Sequence, residues 1–286
     1  MKQFIVNCEP DDENFIRLEG KDYHYLVNVR RLAAGEFFPA LFPNGEEALV
    51  QIISIKENIL TGKCHNVTGH SSINIPDSLF SAPLCGNNSG NIPPIVLFQA
   101  LPKGDKMDLI VRQAAEGGIS EVVPFVSEFS HGKANMGREK FSRWQRIIKE
   151  ARQQSGSKIA TALQPPLTMD ELIQYWNKLK SAPVSNDALG LLFHHIPYQP
   201  EIKNQAEGLE QKSLHEYLSS NRQIVVFVIG PEGGFSDKEV SLFIRNGFYP
   251  LTIGGAVLRT ETAALYCAAA IRILLLEKDA WELKII

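Results

Sequence analysis

The rhythm of apolar and polar positions changes twice along the chain and divides it into three zones. Residues 1–72 carry short alternating runs, such as Ala48-Leu49-Val50-Gln51-Ile52-Ile53-Ser54-Ile55, broken by turn signals at Pro43-Asn44-Gly45 and Thr61-Gly62. Closely spaced strands with such turns predict a small β-barrel or sandwich, with one helical stretch over Tyr23–Leu32. Residues 73–94 read as a linker, because Ser, Asn, Gly and Pro dominate them, as in Gly86-Asn87-Asn88-Ser89-Gly90 and Pro93-Pro94. Residues 95–286 alternate strand and helix signals and form the second domain.

Within that domain Ile95–Leu101 is an apolar run ended by Pro102. Met107, Ile110, Val111 and Ala114 then recur at i, i+3, i+4 and i+7, the face of a helix that stops at Gly117-Gly118. Glu121–Val126 reads as the next strand. Phe141, Trp144, Ile148 and Ala151 mark another helix, with Arg143, Arg146, Lys149 and Arg152 around its other faces. Leu189–Phe193 and Ile224–Ile229 are wholly apolar, as strands buried on both faces of a parallel sheet must be. Residues 197–222 between them are polar and read as a loop or a loosely packed insertion. Ser236 and Glu239 form a capping box, stapled by Phe235 and Val240, for a helix ending at Gly247. A strand over Tyr249–Ile253 and a long helix from Thr260 to about Leu276 complete an α/β class. Ala263–Ala270 is small nearly all round, so that helix is core or a subunit face.

Composition narrows this further. The 286 residues are 44% hydrophobic and 21% charged, the balance of a globular protein rather than of a disordered or collagen-like one. No apolar stretch approaches the ~20 residues that a membrane helix needs, and Met1–Cys8 has no apolar core for a secretory signal, so the expected location is the cytoplasm. Cys8, Cys64, Cys85 and Cys267 lie far apart with no CxxC pairing. His194 and His195 would point to opposite faces of a strand, so no metal is expected. The net charge of −3 argues against bulk coating of nucleic acid. Residues 98–160 nevertheless hold 11 Lys and Arg against 7 Asp and Glu, a local basic surplus that suits a selective polyanion binder.

Three loops could carry chemistry. Gly230-Pro231-Glu232-Gly233-Gly234 joins a buried strand to the capped helix, the place where open α/β sheets bind ligands. The ordinary reading is a Gly-Pro turn. Glu232 would repel a phosphate, and neither GxGxxG nor GxxxxGK[ST] is present, so dinucleotides and nucleoside triphosphates are disfavoured. A ligand offering amide edges, hydroxyls or positive charge fits better. Ile253-Gly254-Gly255-Ala256-Val257-Leu258-Arg259-Thr260-Glu261 is a second strand end, glycine loop and helix start. Capping by Thr260 with Glu261 favoured by the helix dipole accounts for part of it, but not for Arg259 or the glycine pair. In the third loop, after Pro102, the spacing of Lys103 and Lys106 suggests solvated charges.

Together QALPKGDKMD, RQAAEGGISEVVPF, RWQRIIKEARQQSGS, GPEGGFSDKE and IGGAVLRTETAA resemble the bacterial 16S ribosomal RNA uridine-N3 methyltransferase family, of the SPOUT class. HYLVNVRRLAAGEFF resembles that family's PUA-like RNA-binding domain. The resemblance implies a SPOUT methyltransferase domain with a C-terminal trefoil knot behind a PUA-like β-barrel. It also implies S-adenosylmethionine as cofactor, 16S rRNA in the small ribosomal subunit as substrate, and a homodimer with the C-terminal helix as candidate dimer face. Phe193, His194, Gly230, Pro231, Glu232, Gly233, Gly234, Ile253, Gly254, Leu258, Arg259 and Thr260 are then the expected cofactor contacts. Arg259 is expected to hold a uracil oxygen or a nearby phosphate, with Glu232 or Glu261 as base or as loop-ordering groups. Arg30, Arg31, Lys103, Arg143 and Arg146 are the RNA candidates, each with a solvated charge as the plain alternative. Two other classes stay open: a non-catalytic rRNA-binding or assembly protein with this fold, and a different α/β enzyme using a nucleotide cofactor.

Overall fold

The computed structural model describes residues 4–43, 46–66, 92–130, 137–181, 187–195, 212–254 and 256–277. Contacts divide the chain into one unit of residues 1–88 with 149–160 and another of residues 89–148 with 161–286. Most of the expected linker, residues 73–91, lies outside the described residues.

The first unit is built on a five-stranded sheet in the order β1-β3-β4-β5-β2, from β1 (Phe4–Ile5), β2 (Phe15–Leu18), β3 (Phe37–Leu41), β4 (Glu47–Lys56) and β5 (Ile59–Asn66). Only the β1–β3 pair is parallel. Phe38, Val50, Ile52 and Leu60 are fully enclosed in its core. The register shifts between Ile52 and Ser54, and the odd residue, Ile53, turns outward. The expected helix over Tyr23–Leu32 differs in kind. A single α turn, α1 (Gly20–Tyr23), runs into a π-helical segment, His24–Val29, that buries Leu26. Arg31, at φ +57, then breaks it. Lys149 Nζ donates to Asn7 Oδ1 at 3.0 Å, and Lys158 pairs with Glu47 at 3.0 Å, within this same unit.

The second unit holds a six-stranded parallel sheet in the order β11-β9-β10-β6-β7-β8. Its strands are β6 (Ile95–Ala100), β7 (Glu121–Phe125), β8 (Ala162–Leu163), β9 (Ala188–Phe193), β10 (Ile224–Ile229) and β11 (Phe248–Leu251). Its helices are α2 (Lys106–Glu116), α3 (Arg138–Ser155), α4 (Met169–Ser181), α5 (Leu214–Ser219), α6 (Asp237–Arg245) and α7 (Thr260–Glu277), α3 passing into the first unit from Lys149. Every residue of β6 is buried, as its apolar run requires. Leu251, Phe193, Ile229 and Gln99 stand side by side across four adjacent strands, so those strands finish at one level.

Some expectations change here. β11 stops at Leu251, two residues before the expected Ile253. The polar stretch 197–222 is not all loop: α5 carries its own capping box, Ser213 with Glu216, and buries Tyr217 and Leu218, while residues 197–211 lie outside the described residues. Arg152 is buried rather than on an outer face of α3. Its guanidinium donates to the carbonyls of Ser157 and Lys158, satisfying the turn after the helix, and burial lowers its pKa. The unexpected helix α4 supplies Trp176, whose ring lies 4.7 Å from Phe248 and whose Nε1 donates to the Asn246 carbonyl at 2.9 Å. Gly190 permits this approach, since a Cβ there would sit 2.8 Å from the Phe248 ring and 3.0 Å from Trp176.

Helix α7 turns Ala264, Cys267, Ala268 and Ile271 inward. Leu265, Tyr266, Ile273 and Leu276 stay exposed on its other side. Among the described residues no helix is long and apolar enough to cross a membrane, and no three His, Cys, Asp or Glu side chains group around a metal-sized site.

Candidate active site

The level finish of β11, β9, β10 and β6 brings four strand-end loops together, and a cavity of about 330 Å³ opens among them. Phe193 and His194 line it from the end of β9, residues 229–235 from the end of β10, and Ile253 with residues 256–260 from beyond β11. Of the expected cofactor contacts only Gly254 is not among the lining residues, and Gly255 lies outside the described residues. The two glycine loops, some twenty residues apart in sequence, are thus opposite walls of one cleft.

The glycines are needed where the loops pass close to aromatic rings. A Cβ on Gly233 would lie 2.9 Å from Phe129 Cβ. Gly234, at φ +71, adopts the left-handed conformation that other L-residues resist, and a Cβ there would meet His195 Cε1 at 2.8 Å. Phe235 closes the cavity floor, stacking on Phe125 at 6.3 Å and on His194 at 6.4 Å. The His194 amide donates to the Leu251 carbonyl at 2.9 Å, which ties the end of β9 to the end of β11.

Thr260 links the walls. Its buried hydroxyl donates to the Gly230 carbonyl at 2.6 Å and accepts from Gln99 Nε2 at 3.1 Å. This explains why a glutamine sits fully enclosed at the end of an otherwise apolar β6. The expected capping residue is therefore a bridge between three elements. Thr260→Val is expected to cost about 1–3 kcal/mol, because it removes the hydroxyl that the Gly230 carbonyl and the enclosed Gln99 amide share. Thermal melting checks this, and an unchanged Tm overturns it.

The charged groups are arranged less simply than their spacing suggests. Glu232 accepts from the Lys103 amide at 3.1 and 3.3 Å and from Lys106 Nζ at 2.6 Å. Burial pushes its pKa up, but hydrogen bonds from Lys106 and from the Glu232 and Lys103 amides outweigh this and leave it below the ordinary carboxylate value. Lys106 is consequently not a solvated charge: it pairs with Glu232 and stands 3.9 Å from Glu261. Glu261 Oε2 is enclosed and has no hydrogen-bond partner among the described residues. Arg259 lines the cavity with an exposed side chain, and among the described residues nothing pairs with its guanidinium. One anchored carboxylate and one accessible guanidinium therefore line a cleft otherwise made of backbone and mostly apolar groups, while Glu261, expected in the site, is enclosed beside Lys106 and is not among the lining residues.

His195 also lines the cleft, although its place beside His194 marks it in the sequence only as half of a poor chelating pair. Burial and the neighbouring His194 lower its pKa, a shift that favours the neutral imidazole. None of the RNA candidates is among the residues lining the cavity. Arg30 and Arg31 follow the π-helical segment of the first unit, Arg31 exposed and Arg30 half-buried. In the second unit Lys103, Arg143 and Arg146 are exposed. Arg143 pairs with Asp108, which also accepts from Trp144 Nε1 at 3.0 Å, so α2 and α3 are joined beneath it.

Comparison with known proteins agrees with this construction. Residues 89–272 match the family model of the RNA methyltransferase domain, and residues 18–63 match that of the RNA methyltransferase PUA domain. Ribosomal RNA small subunit methyltransferase E 2 of Borreliella burgdorferi is 28% identical over 96% of this chain and 98% of its own length. Ribosomal RNA small subunit methyltransferase E of Aquifex aeolicus is 33% identical over 61% of this chain and 67% of its own. The crystal structure of the Neisseria gonorrhoeae methyltransferase E bound to S-adenosyl methionine shares the fold at a TM-score of 0.67. Its identity is 21%, and the match covers 96% of this chain and 98% of that one. With the glycine loops, the arginine and the parallel sheet all falling within the matched span, the chain belongs to the RNA methyltransferase domain family.

Proposed function

We propose that this protein uses S-adenosylmethionine to methylate N3 of one uridine in 16S rRNA of the small ribosomal subunit. The observation that carries the reading is the cleft itself: two glycine loops at level strand ends, without a phosphate-binding motif, beside an accessible Arg259. The names of the relatives, which are ribosomal RNA small subunit methyltransferases, support the substrate.

The residues present suit the cofactor. Close backbone at Gly230, Gly233 and Gly234 faces Ile253 and Leu258 across the cleft, and Phe193 and His194 lie at its side. Such a set offers hydrogen bonds and apolar contact to an adenosine without asking for phosphate. When bound, S-adenosylmethionine supplies an electrophilic methyl group on a sulfonium centre. The walls of the cleft fix direction and distance, and alignment of this kind provides ~7–11 kcal/mol of barrier reduction in favourable cases.

Uracil N3 must lose its proton as the new N–C bond forms. In our reading Arg259 stabilises the charge that builds on the uracil oxygens. Of the two carboxylates, Glu232 is committed to the Lys103 amide and Lys106, so we assign it to loop ordering. Glu261 is enclosed beside Lys106 and does not line the cleft, so we assign it to ordering the start of α7, and the N3 proton leaves to solvent. Arg30, Arg31, Lys103, Arg143 and Arg146 are the proposed RNA contacts. The chain works as a cytoplasmic homodimer in this reading, with Leu265, Tyr266, Ile273 and Leu276 of α7 covered by a second copy. Light scattering is expected to give twice the chain mass, and a monomer overturns the dimer.

The function is tested with labelled S-adenosylmethionine and small subunits from cells lacking the modification, followed by digestion and nucleoside identification. N3-methyluridine at a single site is expected. No label from a folded protein that still binds the subunit overturns the reading in favour of a non-catalytic assembly protein.

A further inference from the structure

We propose that Lys106 is a positioning residue for methyl transfer, its one ammonium shared by the carboxylates of Glu232 and Glu261 so that the two walls of the cleft keep their relative placement. This inference rests on the methyltransferase reading above. Lys106 opens α2 and is not among the residues lining the cleft. It acts from behind the walls. Its Nζ lies 2.6 Å from Glu232 Oε1, on the loop after β10, and 3.9 Å from Glu261 Oε2, in the first turn of α7. Three segments remote in sequence thus meet at one cation.

The two carboxylates do not depend on it equally. Glu232 would keep the Lys103 amide on both of its oxygens if Lys106 lost its charge. Glu261 is more enclosed, its side chain 14% exposed against 28% for Glu232, and Lys106 is its cation partner among the described residues. Without the ammonium, two negative groups would face each other in a partly desolvated place. Repulsion would drive the Glu261 side chain, and with it the first turn of α7, away from the Glu232 loop. That turn begins at Thr260, directly after Arg259. A residue outside the cleft would therefore alter both cofactor affinity and turnover.

The test compares wild type with Lys106→Met, Lys106→Arg and the double variant Lys106→Met/Glu261→Gln. It uses calorimetric affinity for S-adenosylmethionine, kcat and KM for small subunits, and thermal melting. Lys106→Met is expected to weaken cofactor binding and to lower kcat about tenfold each, the scale for a partly exposed charge pair. Lys106→Arg should recover most of both. In the double variant cofactor affinity should return towards wild type, because the uncompensated charge is gone. The double variant and the arginine variant keep the proposal testable if Lys106→Met alone does not fold.

Wild-type affinity and kcat in Lys106→Met would overturn the proposal. So would a change confined to KM for the subunit, which marks an RNA phosphate contact. An arginine variant as impaired as the methionine one would also exclude a role based on charge. A wild-type protein that neither binds S-adenosylmethionine nor yields methylated RNA overturns the underlying reading, and that failure shows in wild type rather than in the variants.

Discussion

Arg259→Ala is expected to cut methyl transfer about 10²–10³-fold, the scale for losing one preorganised charge-stabilising donor, with cofactor affinity nearly unchanged. The separation follows from the side chain's position. The Arg259 carbonyl accepts from the Ala263 amide at 2.8 Å, a bond that does not involve the side chain, so α7 still starts in the same place when the side chain is cut. The guanidinium has no pairing to lose among the described residues, and folding should be indifferent to its removal. Single-turnover kinetics with small subunits, set beside calorimetry with S-adenosylmethionine, would show the split. Full turnover in the variant would remove Arg259 from the reaction. A matched loss of cofactor affinity would assign it to cofactor binding instead.

The opposite pattern is expected for Gly234→Val. A branched side chain would need the left-handed conformation at φ +71, which costs roughly 1–2 kcal/mol on its own. Its Cβ would also start 2.8 Å from His195 Cε1 and 3.2 Å from Nδ1, so either the imidazole or the loop must leave its place. Both line the cleft. Cofactor affinity should fall about a hundredfold, about 2.7 kcal/mol, while the sheet beneath stays intact, because Phe125, Phe227 and Phe243 are wholly buried in the core that holds it. Calorimetry and far-ultraviolet circular dichroism together check this. Unimpaired binding would show that the glycine loop is not the cofactor wall.

Much of the second unit was legible because its physics is local. Buried parallel strands must be apolar throughout, and β6, β9 and β10 read that way. The start of α6 was equally plain, since Ser236 and Glu239 satisfy each other's amides within one turn. The same signal stood in front of α4. Thr168 and Glu171 exchange hydrogen bonds there, and Thr-x-x-Glu before Leu172 and Trp176 could have announced the helix. The π-helical segment His24–Val29 had no comparable cue, because a 3.6-residue pattern and a slightly wider one coincide over six residues.

In the site, the glycine loops were legible as loops and their shared cleft followed from the sheet. The electrostatics were not. Glu232 and Lys106 are 126 residues apart, and nothing in either neighbourhood records that one neutralises the other. Lys103 contributes its amide to the same carboxylate, a role that no side-chain pattern encodes. By sequence Glu232 is a charge that suits a cationic ligand, whereas the fold has already given it a cation in Lys106. His195 was overlooked for a related reason: a strand geometry was applied to a residue that stands just beyond the strand, where alternation no longer governs direction.

The four strands that finish level at Leu251, Phe193, Ile229 and Gln99 act as a ruler for everything above them. One residue added just before any of those marks would raise one wall by about 3.3 Å and send the next side chain to the wrong face of the sheet. Where the added residue lies in β6 or β10, the Thr260 hydroxyl, which reaches both Gln99 and Gly230, would then meet at most one of them. Length change is thus forbidden at the carboxyl ends of these strands and cheap at their amino ends, where no wall is measured from. A lineage carrying this fold has little freedom to reshape the cleft by insertion. It is left to vary what stands on the ruler, one side chain at a time.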